Sequence, residues 1–101
     1  MIRDYNVSDI REWRREAVGE TGPLRAAGKM TTEASEVLDL YIKADDWVNH
    51  EVDKLELQRE VGDVFVTLVG ICQEEDLRLN ECVAAAMEKN TSEEWREKRG
   101  L

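Results

Sequence analysis

Little in this chain can form a cross-link, a soft-metal site or a sharp bend: of 101 residues, two are cysteine, one is histidine and one is proline. Cys72 and Cys82 have no metal-ligand spacing to each other or to His50, which removes structural zinc. Both cysteines stand in apolar helical patterns and read as reduced core thiols, while His50 stands in a polar segment and reads as a surface residue. One histidine also removes the di-iron carboxylate bundles, which need Glu-x-x-His on two helices. Basic residues are outnumbered, 14 against 23 acidic, for a formal charge of −9, so no basic field is available for nucleic acid or an anionic membrane surface. No apolar run approaches the ~18 residues of a membrane span, and no basic start precedes an apolar stretch. A cytoplasmic protein is therefore expected.

What is present is helical periodicity. A chain of 101 residues is one domain that buries about two-thirds of its surface, and a domain this small often completes its core with a second copy. Ser8 reads as the N-cap of a first helix over roughly residues 9–19, with Ile10, Trp13 and Ala17 on one side and Thr21-Gly22-Pro23 ending it. Pro23 suits the first turn of a second helix whose apolar face is Met30, Ala34, Val37, Leu38, Tyr41 and Ile42, ending near Trp47. Gly28 and the Thr31-Thr32 pair weaken its early part, so a break before Glu33 is compatible with the pattern. After a polar loop over Asn49 to Asp53, a third helix is expected from about Lys54 to Asp76. Its main stripe is Val61, Val64, Phe65, Leu68 and Cys72, and Val66 and Val69 give it a second apolar side, which implies deep burial. A fourth helix starts near Leu79 with Val83, Ala84 and Met87, and the charged tail from Thr91 either continues it or frays. The expected fold is all-α, a four-helix bundle-like arrangement completed by homo-oligomerisation.

Two acidic pairs stand out on these helices: Glu33-Ala34-Ser35-Glu36 and, 23 residues on, Glu60-Val61-Gly62-Asp63. Spacing of i and i+3 puts each pair on one side of its helix, so two antiparallel helices can aim four carboxylates at one point. Hard oxygen donors of this kind suit Mg²⁺, with Mn²⁺ as a substitute. A solvated acidic surface is the commoner fate of any one such residue. Gly62 inside a helix costs about 1 kcal/mol, which close approach of a ligand or tight packing of two helices would each explain.

These residues resemble the MazG-like all-alpha nucleoside triphosphate pyrophosphohydrolases, relatives of the all-alpha dUTPases. The likeness is carried by Glu33-x-x-Glu36 and Glu60-Val61-Gly62-Asp63 before the apolar Val64-Phe65, and it extends from about Leu24 to Asn90, where Ala86-Met87-Glu88-Lys89-Asn90 looks like the closing helix. Many members place arginine three residues beyond that asparagine; Glu93 stands there, and Arg96 is the nearest replacement. Many also carry an acidic residue where Thr32 stands. The resemblance implies cleavage of a (deoxy)nucleoside triphosphate between the α and β phosphorus atoms, giving monophosphate and pyrophosphate, as house-cleaning of the nucleotide pool. It implies Mg²⁺ held by Glu33, Glu36, Glu60 and Asp63, with Glu33 or Glu36 as the proton acceptor, and a homodimer or homotetramer. Lys29, Lys54, Lys89, Asn90 and Arg96 are candidates to hold the phosphate tail, Lys43 flanks the first acidic pair, and Lys29 is equally placed for an i,i+4 pair with Glu33. Trp13, Trp47 and Trp95 are candidates for stacking on a base, with Trp13 reading rather as core.

Two other readings fit the composition. One is an acidic helical interaction module whose carboxylates only solubilise it. The other is a decayed relative that binds nucleotide without cleaving it.

Overall fold

The computed structural model describes residues 4–46 and 51–100, and within them the chain is helical with no strand. Five helices follow one another: α1 (Val7–Ala17), α2 (Pro23–Asp46), α3 (Lys54–Glu74), α4 (Leu79–Thr91) and α5 (Glu93–Lys98). The expectations on Trp47 and His50 fall outside the described residues.

Helix α1 starts two residues earlier than Ser8 suggests. Asn6 is its N-cap: the Asn6 side chain accepts from Asp9 N at 2.9 Å and the Asp9 carboxylate accepts from Asn6 N at 3.0 Å, a reciprocal box that satisfies two terminal donors. The helix also ends early, because Gly19 takes φ 74° and its N–H turns back to Arg14 O. Pro23 opens α2 as expected, and α2 then runs unbroken through Glu33. The Thr31 and Thr32 hydroxyls donate to Ala27 O and Gly28 O at 3.2 Å each, so the two polar groups are satisfied without interrupting the helix. Asp53 caps α3, accepting from Leu55 N and Glu56 N. Beyond Thr91 the tail neither continues α4 nor frays: Ser92 leaves helical conformation and caps α5 by accepting from Trp95 N.

The α2–α3 pair is the body of the fold. Its antiparallel register is fixed at one end by Thr21, whose N–H and hydroxyl both donate to Glu74 Oε1, and near the other by the approach of Glu33 and Glu36 to Glu60. Helix α1 lies on α3 through polar clamps. Arg14 Nη1 donates to Gln73 Oε1 at 3.0 Å, Gln73 Nε2 donates to Arg11 O, and Arg11 Nη2 reaches Leu77 O in the α3–α4 turn. Helix α4 touches α3 but not α2, and α5 touches only α4.

This arrangement leaves the hydrophobic core thin. Among the described residues the buried apolar side chains are Ala26, Ala44, Val69 and Cys72. On α3 the expected main stripe is split: Cys72 is buried and Val64 and Leu68 are half-buried, but Val61 and Phe65 are 51% and 41% exposed, while Val69 on the second side is fully buried. Val61 and Phe65 line a shallow apolar groove with Ala34, Val37, Val64 and Leu68, and Leu38, Tyr41 and Ile42 of α2 are exposed as well. Trp13, read as core, is also more than half exposed. The radius of gyration, 16.7 Å, exceeds the ~13 Å of a closed domain of about 100 residues. Among the described residues the packing centres on the α2–α3 pair, with α1 and α4 each against α3.

Candidate metal site

Three of the four acidic residues converge. Glu33 and Glu36, one turn apart on α2, and Glu60 on α3 each present a carboxylate oxygen within 4.8 Å of the others. The antiparallel pairing of α2 and α3 makes this happen, since it sets the i, i+3 pair of one helix against the start of the second motif on the other. Glu33 is buried while Glu36 and Glu60 are half-buried. Asp63, one turn further along α3, is exposed and does not join that group. It still feels it: partial desolvation and then the charges of Glu33 and Glu60 raise its acid above the ordinary aspartate value.

The electrostatics follow from three carboxylates at one point. The Glu33 carboxylate receives the Lys29 ammonium at 2.9 Å, the i,i+4 pair anticipated from spacing, and this contact holds the Glu33 acid below its usual range. Glu36 has no cation of its own. Pressed first against Glu60 and then against Glu33, its acid is pushed up to about 7. Glu60 Oε2 is buried without a hydrogen-bond partner, an arrangement that is costly for a carboxylate oxygen unless something positive or a donor meets it. The donor set is all oxygen, suited to a hard divalent cation and offering nothing to a soft one.

The expected phosphate-binding residues are scattered. Lys54 stands exposed in the first turn of α3, Lys89 and Asn90 are exposed at the far end of α4, and Arg96 is exposed on α5. Among the described residues α4 has no contact with α2 and α5 contacts only α4, so Lys89, Asn90 and Arg96 are not brought to the carboxylates there. Trp95 packs with Arg99, whose guanidinium carbon lies 4.5 Å from the ring centre.

Lys29, of the expected phosphate-binding residues, is the one at the carboxylates, and it shares a cavity wall with two arginines that the sequence reading does not single out. A cavity of about 240 Å³ between α1, α2 and α3 has Arg14, Arg25 and Lys29 in its wall beside Trp13, Val18 and Thr67, and no acidic residue. Arg14 is buried, and its guanidinium lies flat against Gly70 of α3, where a Cβ would come within 2.8 Å of Arg14 Cζ. The glycine of close approach is therefore Gly70. Gly62, for which close approach or tight packing was expected, has nothing within 4 Å of the position a Cβ would take. The signal that could have found the contact is a glycine inside the most apolar run of α3, Val69-Gly70-Ile71.

No protein-family model matches the chain, and neither a curated protein nor a solved structure matches it.

Proposed function

We propose that the chain is a Mg²⁺-dependent nucleoside triphosphate pyrophosphohydrolase of the MazG-like type, cleaving between the α and β phosphorus atoms as a house-cleaning activity of the cytoplasm. The observation that carries this reading is the meeting of Glu33, Glu36 and Glu60 from two separate motifs, with Glu60 Oε2 buried and unpartnered among them. Such a site is what a divalent cation would neutralise. Glu33, Glu36 and Glu60 would hold it, with Asp63 at the edge of the site. The ion would supply charge neutralisation for the triphosphate and activation of water. The chain's own contribution is to keep Glu33 ionised, to hold Glu36 and Glu60 on two helices at fixed register, and to offer the cations of the neighbouring cavity to an anion.

The reading includes a second copy of the chain. The exposed Val61 and Phe65 over the apolar groove of α2 and α3, with exposed Leu38, Tyr41 and Ile42 on α2, are apolar surface that a second copy would cover, and packing two such pairs would close a four-helix bundle. Lys89, Asn90 or Arg96 could then reach a carboxylate site of the dimer or tetramer. The same apolar surface also favours the interaction-module reading, and the two part on metal and turnover.

The test is incubation with a panel of ribo- and deoxyribonucleoside triphosphates, with Mg²⁺ and with EDTA, for the wild type and for Glu36→Gln and Glu60→Gln. Hydrolysis that is lost in EDTA and in both variants is the expected result. Absence of turnover of every nucleotide, with dimerisation intact, would leave the interaction module.

A further inference from the structure

We propose that Lys29 is a built-in rival of the divalent cation for Glu33, so that binding of the ion releases the lysine to the adjoining cavity; this rests on the metal site proposed above. The geometry is specific. Lys29 Nζ lies 2.9 Å from Glu33 Oε1, and the two side chains differ sharply in surroundings: Glu33 is 9% exposed and Lys29 64%. The carboxylate is fixed on the helix pair while the ammonium is on a mobile, solvated stem. A monovalent cation at that distance and a divalent ion bound by the same carboxylate repel each other and compete for the same lone pairs. The divalent ion has three carboxylates to draw on where the ammonium uses one.

The released side chain has somewhere to go. Lys29 also stands in the wall of the cavity that carries Arg14 and Arg25 and no acid. Freed from Glu33, its charge becomes available there to an anion. The consequence is an order of events: the divalent ion first, then a third cation for the anionic substrate. A lysine that served only as a helical i,i+4 partner would affect folding and leave ion affinity unchanged.

The experiment uses Mn²⁺ alone, titrated against wild type, Lys29→Met and Lys29→Arg at pH 8, with free ion read by electron paramagnetic resonance and with melting temperatures taken in EDTA and in saturating Mn²⁺. Lys29→Met is expected to bind Mn²⁺ about three- to tenfold more tightly, the range set by a salt bridge with one partner out of water. It is also expected to melt below wild type in EDTA and level with it in saturating Mn²⁺, while Lys29→Arg, which keeps the pair, stays close to wild type in affinity. Equal or weaker Mn²⁺ binding by Lys29→Met, with wild type binding normally, overturns the inference and leaves the metal site standing. Absence of Mn²⁺ binding by wild type and variants alike removes the metal site and the inference with it.

Discussion

Replacing Gly70 by alanine should destabilise this protein, and the same replacement should stabilise it once Arg14 is gone. In the middle of α3, alanine is better than glycine by about 1 kcal/mol on helix propensity alone. Against that stands the Arg14 guanidinium, whose Cζ, Nε and Nη2 lie 2.8, 2.9 and 2.9 Å from the position of the new methyl carbon. Those contacts are several tenths of an ångström too short, so the guanidinium must move. It is the end of a long side chain, but Arg14 is only 8% exposed and Nη1 is fixed to Gln73 Oε1 at 3.0 Å. Moving it strains or breaks a charged hydrogen bond worth about 1.5–3 kcal/mol. The net is a loss of about 1 kcal/mol, or about 4–8 °C in melting temperature for a domain of this length. In an Arg14→Met background the clash is absent and Gly70→Ala should gain up to about 1 kcal/mol. Urea melts of the four proteins of this cycle measure the reversal. A Gly70→Ala substitution that stabilises both backgrounds equally would show that Arg14 is not clamped between α1 and α3, and the account of how α1 is held would be wrong.

Three further expectations follow from the site and the helix ends. In EDTA the melting temperature should fall as pH rises from about 4.5 toward 7, because the Glu36 acid is pushed up to about 7 from its ordinary 4.5 by Glu60 and Glu33: the folded chain keeps that proton where the unfolded chain has lost it, and the stability this gives disappears through that window. Glu36→Gln should flatten the slope, and a profile that does not change in the variant would contradict the crowding of carboxylates. Asp53→Ala removes the acceptor for Leu55 N and Glu56 N and should cost about 1 kcal/mol in a urea melt, with Asp53→Ser restoring most of it. Phe65→Glu and Tyr41→Lys each put charge at an exposed apolar position of α3 or α2; for the second copy proposed above, sedimentation equilibrium should show a wild-type dimer or larger species shifting toward monomer in both variants, and a wild-type mass unchanged in them would place the interface elsewhere.

Apolar spacing was a good guide to helices and a poor one to what covers them. The recurrence of Met30, Val37 and Tyr41, and of Val61, Phe65 and Leu68, located α2 and α3 within a few residues, since periods near 3.6 over more than 20 residues have no strand interpretation. The same recurrence does not say which residues of α3 are covered by its own chain: Val69 and Cys72 are, while Val61 and Phe65 are exposed, because burial depends on which neighbours exist and not on how apolar a stripe is. Helix starts are legible to within a residue or two. The polar loop ending at Asp53 puts the start of α3 at Lys54, where it is, although the Asp53 cap itself goes unread; Ser8 stands two residues inside the Asn6–Asp9 box that caps α1, and Ser92 followed by Glu93-Glu94 is a readable cap for α5 that a continuous charged tail conceals. The i, i+3 spacing on two antiparallel helices predicts Glu33, Glu36, Glu60 and Asp63 at one point; the first three meet and Asp63 does not join them. The burial of Arg14 was not legible, since a charged side chain folded against a glycine leaves no periodic trace.

The central claim is that carboxylates on α2 and α3 hold a divalent ion for cleavage between the α and β phosphorus atoms of a nucleoside triphosphate. It is tested most directly by ³¹P NMR of the products formed by the purified wild-type chain with Mg²⁺ and each nucleotide. The account predicts pyrophosphate and nucleoside monophosphate in equal amounts, with neither in EDTA. Orthophosphate with nucleoside diphosphate would contradict the bond assigned, and products unaffected by EDTA would contradict the role given to Glu33, Glu36 and Glu60.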